Sequence, residues 1–367
     1  MARSVEERRR RIVDIVAQEG PQNARRLATR LGVSAVTLRR DLEHLASVGS
    51  IRRRHGTVEP LGAPSIAGPD APTIGLVLPE SNYYYDGIIA GAKRAAGAAG
   101  AKLVLGVSDY RPEKEIHQAE RLITKGVDGL VMAPTPDFAT GWLVPSQEER
   151  LAQLRVPTVF VERTASPGGP CALLDTVNSA HDVGAAVGLR HLIQLGHRRI
   201  TALMISGPNS PWVREGLLQA SAHAGLEDPQ IIMEGTPGSD EARAAVLQTI
   251  EDGTTAVFVH NDQLATRAIL WLEDAGISIP DEVSLIGYDD VIAGMADVPL
   301  TALDPPKREV GRRAVERVLA LCGGATSSAV SPADGGATQH IRLVPELHVR
   351  QSTTVPREPP RSSDCRR

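Results

Sequence analysis

The chain has 367 residues, 42% hydrophobic and 23% charged, and a net charge of −4. That length exceeds one ordinary domain, and the apolar share excludes a mainly disordered chain. No apolar run approaches the roughly 18 residues of a membrane span, and the short stretch after Arg8 to Arg11 is broken at Asp14, unlike a secretory signal. Three scattered cysteines, Cys171, Cys322 and Cys365, form no CxxC pair, so a reducing cytoplasm and no metal framework are expected.

The charge is unevenly spread. Residues 1–60 hold 13 Arg, no Lys and seven acids, a balance of +6, so the other 307 residues carry −10. A small basic unit joined to a larger acidic one is the asymmetry expected when one end meets phosphates.

Ile12, Ile15 and Val16 predict an amphipathic helix over residues 5–18. Asn23 is a cap for a second helix through Leu27, Ala28 and Leu31, ending at Gly32. Ser34 caps a third, in which Leu38, Leu42 and Leu45 share a face and Thr37, Arg39, Arg40 and His44 lie nearer solvent. Two helices joined by a short Gly-containing turn form a helix-turn-helix, whose second helix enters the major groove. The basic ribbon Arg52-Arg53-Arg54-His55-Gly56 that follows suits a wing lying on phosphates. Ser34, Thr37, Arg39, Arg40, Arg52, Arg53, Arg54 and His55 are the candidate DNA-binding residues. The segment 8–58 resembles the DeoR-type winged helix-turn-helix, through Leu27-Ala28, Val33-Ser34, Thr37-Leu38-Arg39-Arg40-Asp41-Leu42 and Arg54-His55-Gly56.

Four prolines and two glycines in residues 59–72 predict a semi-extended linker. From residue 73 to 286 apolar strands alternate with helices: strands over 73–78, 102–107, 127–133, 157–161, 200–205, 256–260 and 283–286, with helices over 88–99, 113–125, 181–195, 212–224 and 264–275. This rhythm means βαβ units and parallel sheets, and the length suggests two lobes with a cleft. Ligands of such sheets sit beyond the carboxyl ends of the strands. The loops there carry Tyr83, Tyr84, Asp86, Phe138, Arg163, Trp212, Arg214, Asn261, Asp262 and Asp289, the candidate effector-binding residues. Aromatic faces among Asp, Asn and Arg side chains suit a sugar or polyol. GxxxxGK[ST] and GxGxxG are both absent, against a phosphorylated ligand. The Gly-, Ala- and Ser-rich stretch 323–338 is expected to be a mobile loop, and residues 354–367 a disordered tail.

Residues 73–353 resemble the periplasmic-binding-protein-like effector domain of the LacI/GalR family. The resemblance rests on Leu192 to Ile200, Val259 to Ala265, Gly276 to Asp290, Pro299-Leu300-Thr301, Gly311 to Glu316 and Pro345 to Thr353. It implies two lobes that close on a small molecule, and a dimer. The implied fold class is α/β: an N-terminal winged helix-turn-helix (residues 1–58) plus a two-lobed periplasmic-binding-protein-like domain of doubly wound parallel sheets (73–353). The expected function is a homodimeric transcription regulator, with repression favoured by the resemblance, bound to operator DNA under the control of a sugar-like effector and with no cofactor. The alternative is an α/β enzyme acting on a carbohydrate and carrying a DNA-binding head. Against it, there is no Gly-x-Ser-x-Gly elbow, and His197 reads as a packing residue.

Three departures from the family stand out. Ala180 occupies a usually acidic position. Arg214 stands two residues before Gly216 rather than three or more. Asp304-Pro305-Pro306 replaces the usual Gln before Pro.

Overall fold

Helical spacing of apolar side chains folds the basic segment into α1 (Val5–Glu19), α2 (Ala24–Leu31) and α3 (Ala35–Ser47). In the computed structural model, which describes residues 5–19, 22–47, 51–54, 57–60, 71–324 and 337–357, these helices pack on three short strands. The strands are β1 (Gln22–Asn23), β2 (Ile51–Arg54) and β3 (Thr57–Pro60), with β3 between the other two and antiparallel to both. Ile12, Val16, Leu27, Leu38, Leu42, Ile51 and Val58 make one core, so the wing is held by the same apolar contacts as the helices. Asn23 Oδ1 accepts from Arg26 N at 3.4 Å and Ser34 Oγ from Thr37 N at 3.1 Å, the two caps expected from sequence.

The first lobe of the body holds β4 (Thr73–Leu78), α4 (Tyr84–Ala99), β5 (Lys102–Val107), α5 (Pro112–Thr124), β6 (Gly129–Met132), α6 (Pro145–Leu151), β7 (Thr158–Val161) and β8 (Asp175–Ser179). The second holds α7 (His181–Leu195), β9 (Ile200–Ile205), α8 (Ser210–His223), β10 (Gln230–Glu234), α9 (Asp240–Glu251), β11 (Ala256–Val259), α10 (Asp262–Asp274), β12 (Ser284–Tyr288) and β13 (Thr301–Asp304). The chain then returns to the first lobe as α11 (Lys307–Gly324) and β14 (His340–Leu343), and ends in the second as β15 (Glu346–His348). The first sheet runs β14-β8-β7-β6-β4-β5, all parallel; the second runs β10-β9-β11-β12-β13-β15, with only the last pair antiparallel. Three crossings, near residues 180, 305 and 345, join the lobes and place the carboxyl ends of both sheets at one cleft.

Helix α11 packs tightly on α4 because both are glycine at the crossing. A Cβ on Gly91 would stand 1.9 Å from Arg308 O, and one on Gly311 equally close to Ile88 O. Charged neighbours hide the apolar stripe Val310, Ala314, Val315 and Val318 of this helix, which sequence periodicity did not isolate. Strand β8, Asp-Thr-Val-Asn-Ser, was missed for the opposite reason: its polar side chains are buried but bonded, as Asn178 is to Arg163 N and Thr164 Oγ1. Short β10 and α9 likewise lack a clear period.

The boundaries differ in detail from expectation. Strand β3 runs on to Pro60, and residues 61–70 of the linker, 325–336 of the low-complexity stretch and 358–367 of the tail lie outside the described residues. Thr354 does not start the tail as a loose end: its N–H donates to Ser284 Oγ at 3.0 Å, and its carbonyl lies 2.9 Å from His197 Nε2. His197 therefore packs, as expected, with its proton on Nε2 and its Nδ1 2.8 Å from Thr255 Oγ1. Among the described residues no helix is long and apolar enough to cross a membrane.

Candidate functional site

A cavity of about 280 Å³ lies between the lobes, near the lower end of the roughly 300–1,000 Å³ usual for small-molecule sites. One wall is aromatic, with Tyr83, Tyr84, Tyr85 and Tyr110 beside Glu80, Glu162 and Arg163. The other is amide-rich, with Asn209, Asn261, Gln263 and His260 beside Asp289. Six non-glycine residues in the described chain have positive φ: Tyr83, Asp109, Tyr110, Glu162, Asp289 and Asp290. Four of these line the cavity and the other two adjoin one of the four. Such conformations each cost about 1–3 kcal/mol and gather where a surrounding structure enforces them for function.

The aromatic wall is internally satisfied. Glu162 accepts from the Tyr84 hydroxyl at 2.8 Å, from Ser179 N and Oγ at 2.9 and 2.8 Å, and meets His181 Nε2 at 3.3 Å. Burial alone would raise its carboxyl, but the contacts with His181 and Ser179 override it and hold the group at about 2. His181 Nδ1 lies 3.0 Å from the Tyr288 hydroxyl, so a chain of contacts crosses from one lobe to the other. The Arg163 guanidinium donates to the carbonyls of Pro134 and Glu162 and to the Tyr85 hydroxyl, leaving two of its five N–H groups for the cavity.

The amide wall is arranged to donate. Burial pushes His260 down to about 4, so it is neutral. Its Nδ1 accepts from Ile205 N at 3.3 Å, which puts the proton on Nε2, 3.1 Å from Asn209 Oδ1. Asn261 Oδ1 caps α10 by accepting from Leu264 N at 2.8 Å. Both carboxamides thus spend their oxygen on the protein and keep their NH₂ groups.

Asp289 is the exception to this satisfaction. It is 6% exposed, and its Oδ1 has no hydrogen-bond partner. Burial pushes its carboxyl up to about 7, with Lys307 opposing the rise and Asp262 adding to it. The Tyr83 hydroxyl stands beside Asp289 and Asp262, yet forms no hydrogen bond of normal geometry and is itself unpaired. Lys307 Nζ donates to Asp289 O and to Asp304 Oδ1, so the replaced Asp304-Pro305-Pro306 crossing is tied to the cavity floor.

The structure brings Tyr83, Tyr84, Arg163, Asn261 and Asp289 together, but not the other five candidates. Asp86 is exposed on α4, facing away. Phe138 lies outside, edge-on to Tyr110 at 6.1 Å. Arg214 is exposed: one residue of slip rotates it about 100° around α8, and Val213 takes the inward position. Asp262 is fully buried and outside the cavity lining; its Oδ2 pins a turn by accepting from Val291 and Ile292 N at 2.5 and 2.8 Å, while its Oδ1, like that of Asp289, has no partner. Trp212 packs on Trp142 instead of entering the cavity. Sequence reasoning missed His181, which supplies polarity beside the apolar Ala180, as well as Asn209 and His260. Their strand-end positions were the available signal.

In the basic unit, Arg39 and Arg40 are exposed on α3. Arg39 pairs with Glu43 at 2.8 Å, whereas Arg40 has no ion pair among the described residues. Ser34 is exposed and caps α3, its Oγ accepting from Thr37 N and lying 2.9 Å from Thr37 Oγ1. Arg52, Arg53 and Arg54 form β2, paired with Glu59, Val58 and Thr57; His55 lies outside the described residues.

A model of DeoR-like helix-turn-helix domains matches residues 8–61, and one of periplasmic binding protein-like domains matches residues 189–353. The arabinose metabolism transcriptional repressor of Geobacillus stearothermophilus is 27% identical over 89% of this chain and 89% of its own. The HTH-type transcriptional repressor PurR of Photobacterium profundum is 31% identical over 67% of this chain and 73% of its own. The chain belongs to the LacI family of transcriptional repressors. The lac repressor dimer solved with its operator and the anti-inducer ONPF shares the fold of this LacI-family chain, with a TM-score of 0.64 at 23% identity over 80% of this chain and 97% of that one. The DeoR-like match covers the head and the periplasmic binding protein-like match the body.

Proposed function

We propose that this chain is a cytoplasmic, homodimeric repressor whose operator binding is controlled by a neutral sugar or polyol held between the lobes. Residues 1–58 read DNA, 59–72 link, and 73–353 sense. The observation that carries the effector reading is the orphaned Asp289 Oδ1, buried in a cleft that Arg163, Asn209 and Asn261 also line with N–H donors to spare. A ligand hydroxyl donates and accepts at once, so one small polyol can satisfy both sets while its C–H face lies on a tyrosine ring. A phosphate would meet the carboxylates of Glu80, Glu162 and Asp289 instead. The relative from Geobacillus, a repressor of arabinose metabolism, supports the same class. A dimer supports reading of a two-fold operator, and the protein binds its effector without turning it over.

The test is a thermal-shift panel of D-ribose, L-arabinose, D-xylose, D-glucose, D-galactose and ribitol. At least one should raise the melting temperature of the full chain, by a stabilisation of about 2.7 kcal/mol at one hundred times its Kd, and Asp289→Ala should abolish the rise. A response to nucleosides or amino acids with none to the panel would overturn the sugar reading. Gel shifts on genomic fragments selected by the protein test the DNA half, and release by the same sugar connects the two.

A further inference from the structure

We infer that Trp142 and Trp212 form a clasp across the cleft that sets effector affinity without touching the effector. This rests on the reading of the cleft as the effector site. Trp142 belongs to the first lobe, in the loop between β6 and α6, and Trp212 to the first turn of α8 in the second. Their rings meet edge to face, with centroids 5.0 Å apart and planes at 87°. The loop that presents Trp142 is braced by its own backbone. Asp137 N donates to Trp142 O at 2.9 Å, Gly141 N to Asp137 O at 2.8 Å, and Ala139 N to Asp137 Oδ1 at 2.7 Å.

Gly141 has φ +77°, and a Cβ there would stand 2.8 Å from Trp212 Nε1, so the loop seats directly on the second lobe's indole. Behind the pair lies a side chamber of about 210 Å³, whose wall includes Glu162 and His181, the same two residues that line the main cavity. Arg342 of the first lobe and Asp182 of the second form an ion pair on its rim. The clasp thus shares a chamber with Glu162 and His181 but does not line the main cavity. Opening the lobes must part the indoles, so their contact favours the closed, ligand-competent state. An effector that binds that state binds more tightly when it is already populated.

The test uses the full-length protein and the tightest-binding sugar of the panel above. Trp142→Ala and Trp212→Ala should each weaken binding about three- to tenfold, and the double variant no more than the weaker single one. Trp142→Phe, which keeps an edge-to-face ring, should bind within about twofold of the parent. Circular dichroism should show an indole–indole exciton couplet, lost in either alanine variant and kept in Trp271→Phe, where the third tryptophan lies in the second lobe's core. Small-angle scattering should give a larger radius of gyration for the alanine variants without ligand. An unchanged radius and unchanged affinity would overturn the clasp. If no sugar of the panel binds, the effector reading fails, while the couplet and the radius still decide whether the tryptophans hold the lobes together.

Discussion

Asp41 in the head and Asp289 in the cleft are both buried aspartates, 2% and 6% exposed, and their surroundings leave them in opposite states. Asp41 receives Arg8 Nε at 2.6 Å and Arg9 Nε at 3.0 Å, tying α1 to α3. Burial would raise its carboxyl, but the two arginines override this and hold it below the usual range. Asp289 has burial without that pairing, and its carboxyl rises to about 7. A buried carboxylate whose partners come from its own chain is structure. One whose partner is missing at the wall of a cavity marks a place for a ligand. The contrast also separates the thirteen arginines of the head: Arg8 and Arg9 serve folding, whereas exposed Arg40 is available to phosphate.

The two aspartates should respond to pH with opposite signs, and that is the widest way to break the comparison. Asp289 is raised in the folded state, so its contribution is complete below the unfolded value near 4 and is lost as pH rises towards 7. A shift of that size amounts to at most about 4 kcal/mol. Urea unfolding of the ligand-free chain at pH 4 to 7 should show the decline, and Asp289→Asn should flatten it; parallel curves for the two proteins would remove Asp289 from this role. Asp41 is depressed, so its contribution is complete above the unfolded value near 4 and is lost as pH falls through its lower folded value.

Asp41→Ala should then cost the head about 2–3 kcal/mol at neutral pH, because it leaves two cations without their acceptor. Hydrogen-exchange protection of α1 and α3 in the full chain measures this, and unaltered protection contradicts it. Arg40→Ala should leave that protection intact while weakening operator binding about tenfold and lowering the salt slope by about 0.9 for each protomer. An unchanged slope would mean that Arg40 meets no phosphate. Ser34→Ala should have the smallest effect, about 1 kcal/mol, in the first turn of α3; a loss of DNA binding beyond that amount would show that Ser34 contacts DNA as well as capping the helix.

Periodicity and charge made the architecture legible in advance. Leu38, Leu42 and Leu45 fall on one helical face in any context, and runs such as Thr73–Leu78 are apolar enough to be strands wherever they sit. The candidate site was only half legible. Arg214 and Val213 differ by one residue in sequence but by a third of a turn in direction, and no strand-end rule resolves that. Asp262 and Asp289 each follow a clean strand, yet one turns into the backbone of its neighbour's loop and the other into the cleft.

The sequence by itself determined a basic reading head, an acidic two-lobed body and the loops where a ligand would sit, because helix and strand periods and net charge are local properties. Which side chains face the cavity, which unpartnered carboxylate lines it, and which tryptophans meet beside it were decided only by the tertiary structure. Those outcomes depend on three chain crossings that bring residues more than a hundred positions apart, such as Asp182 of the second lobe and Arg342 of the first, into contact. Burial and missing partners exist only once that packing is complete.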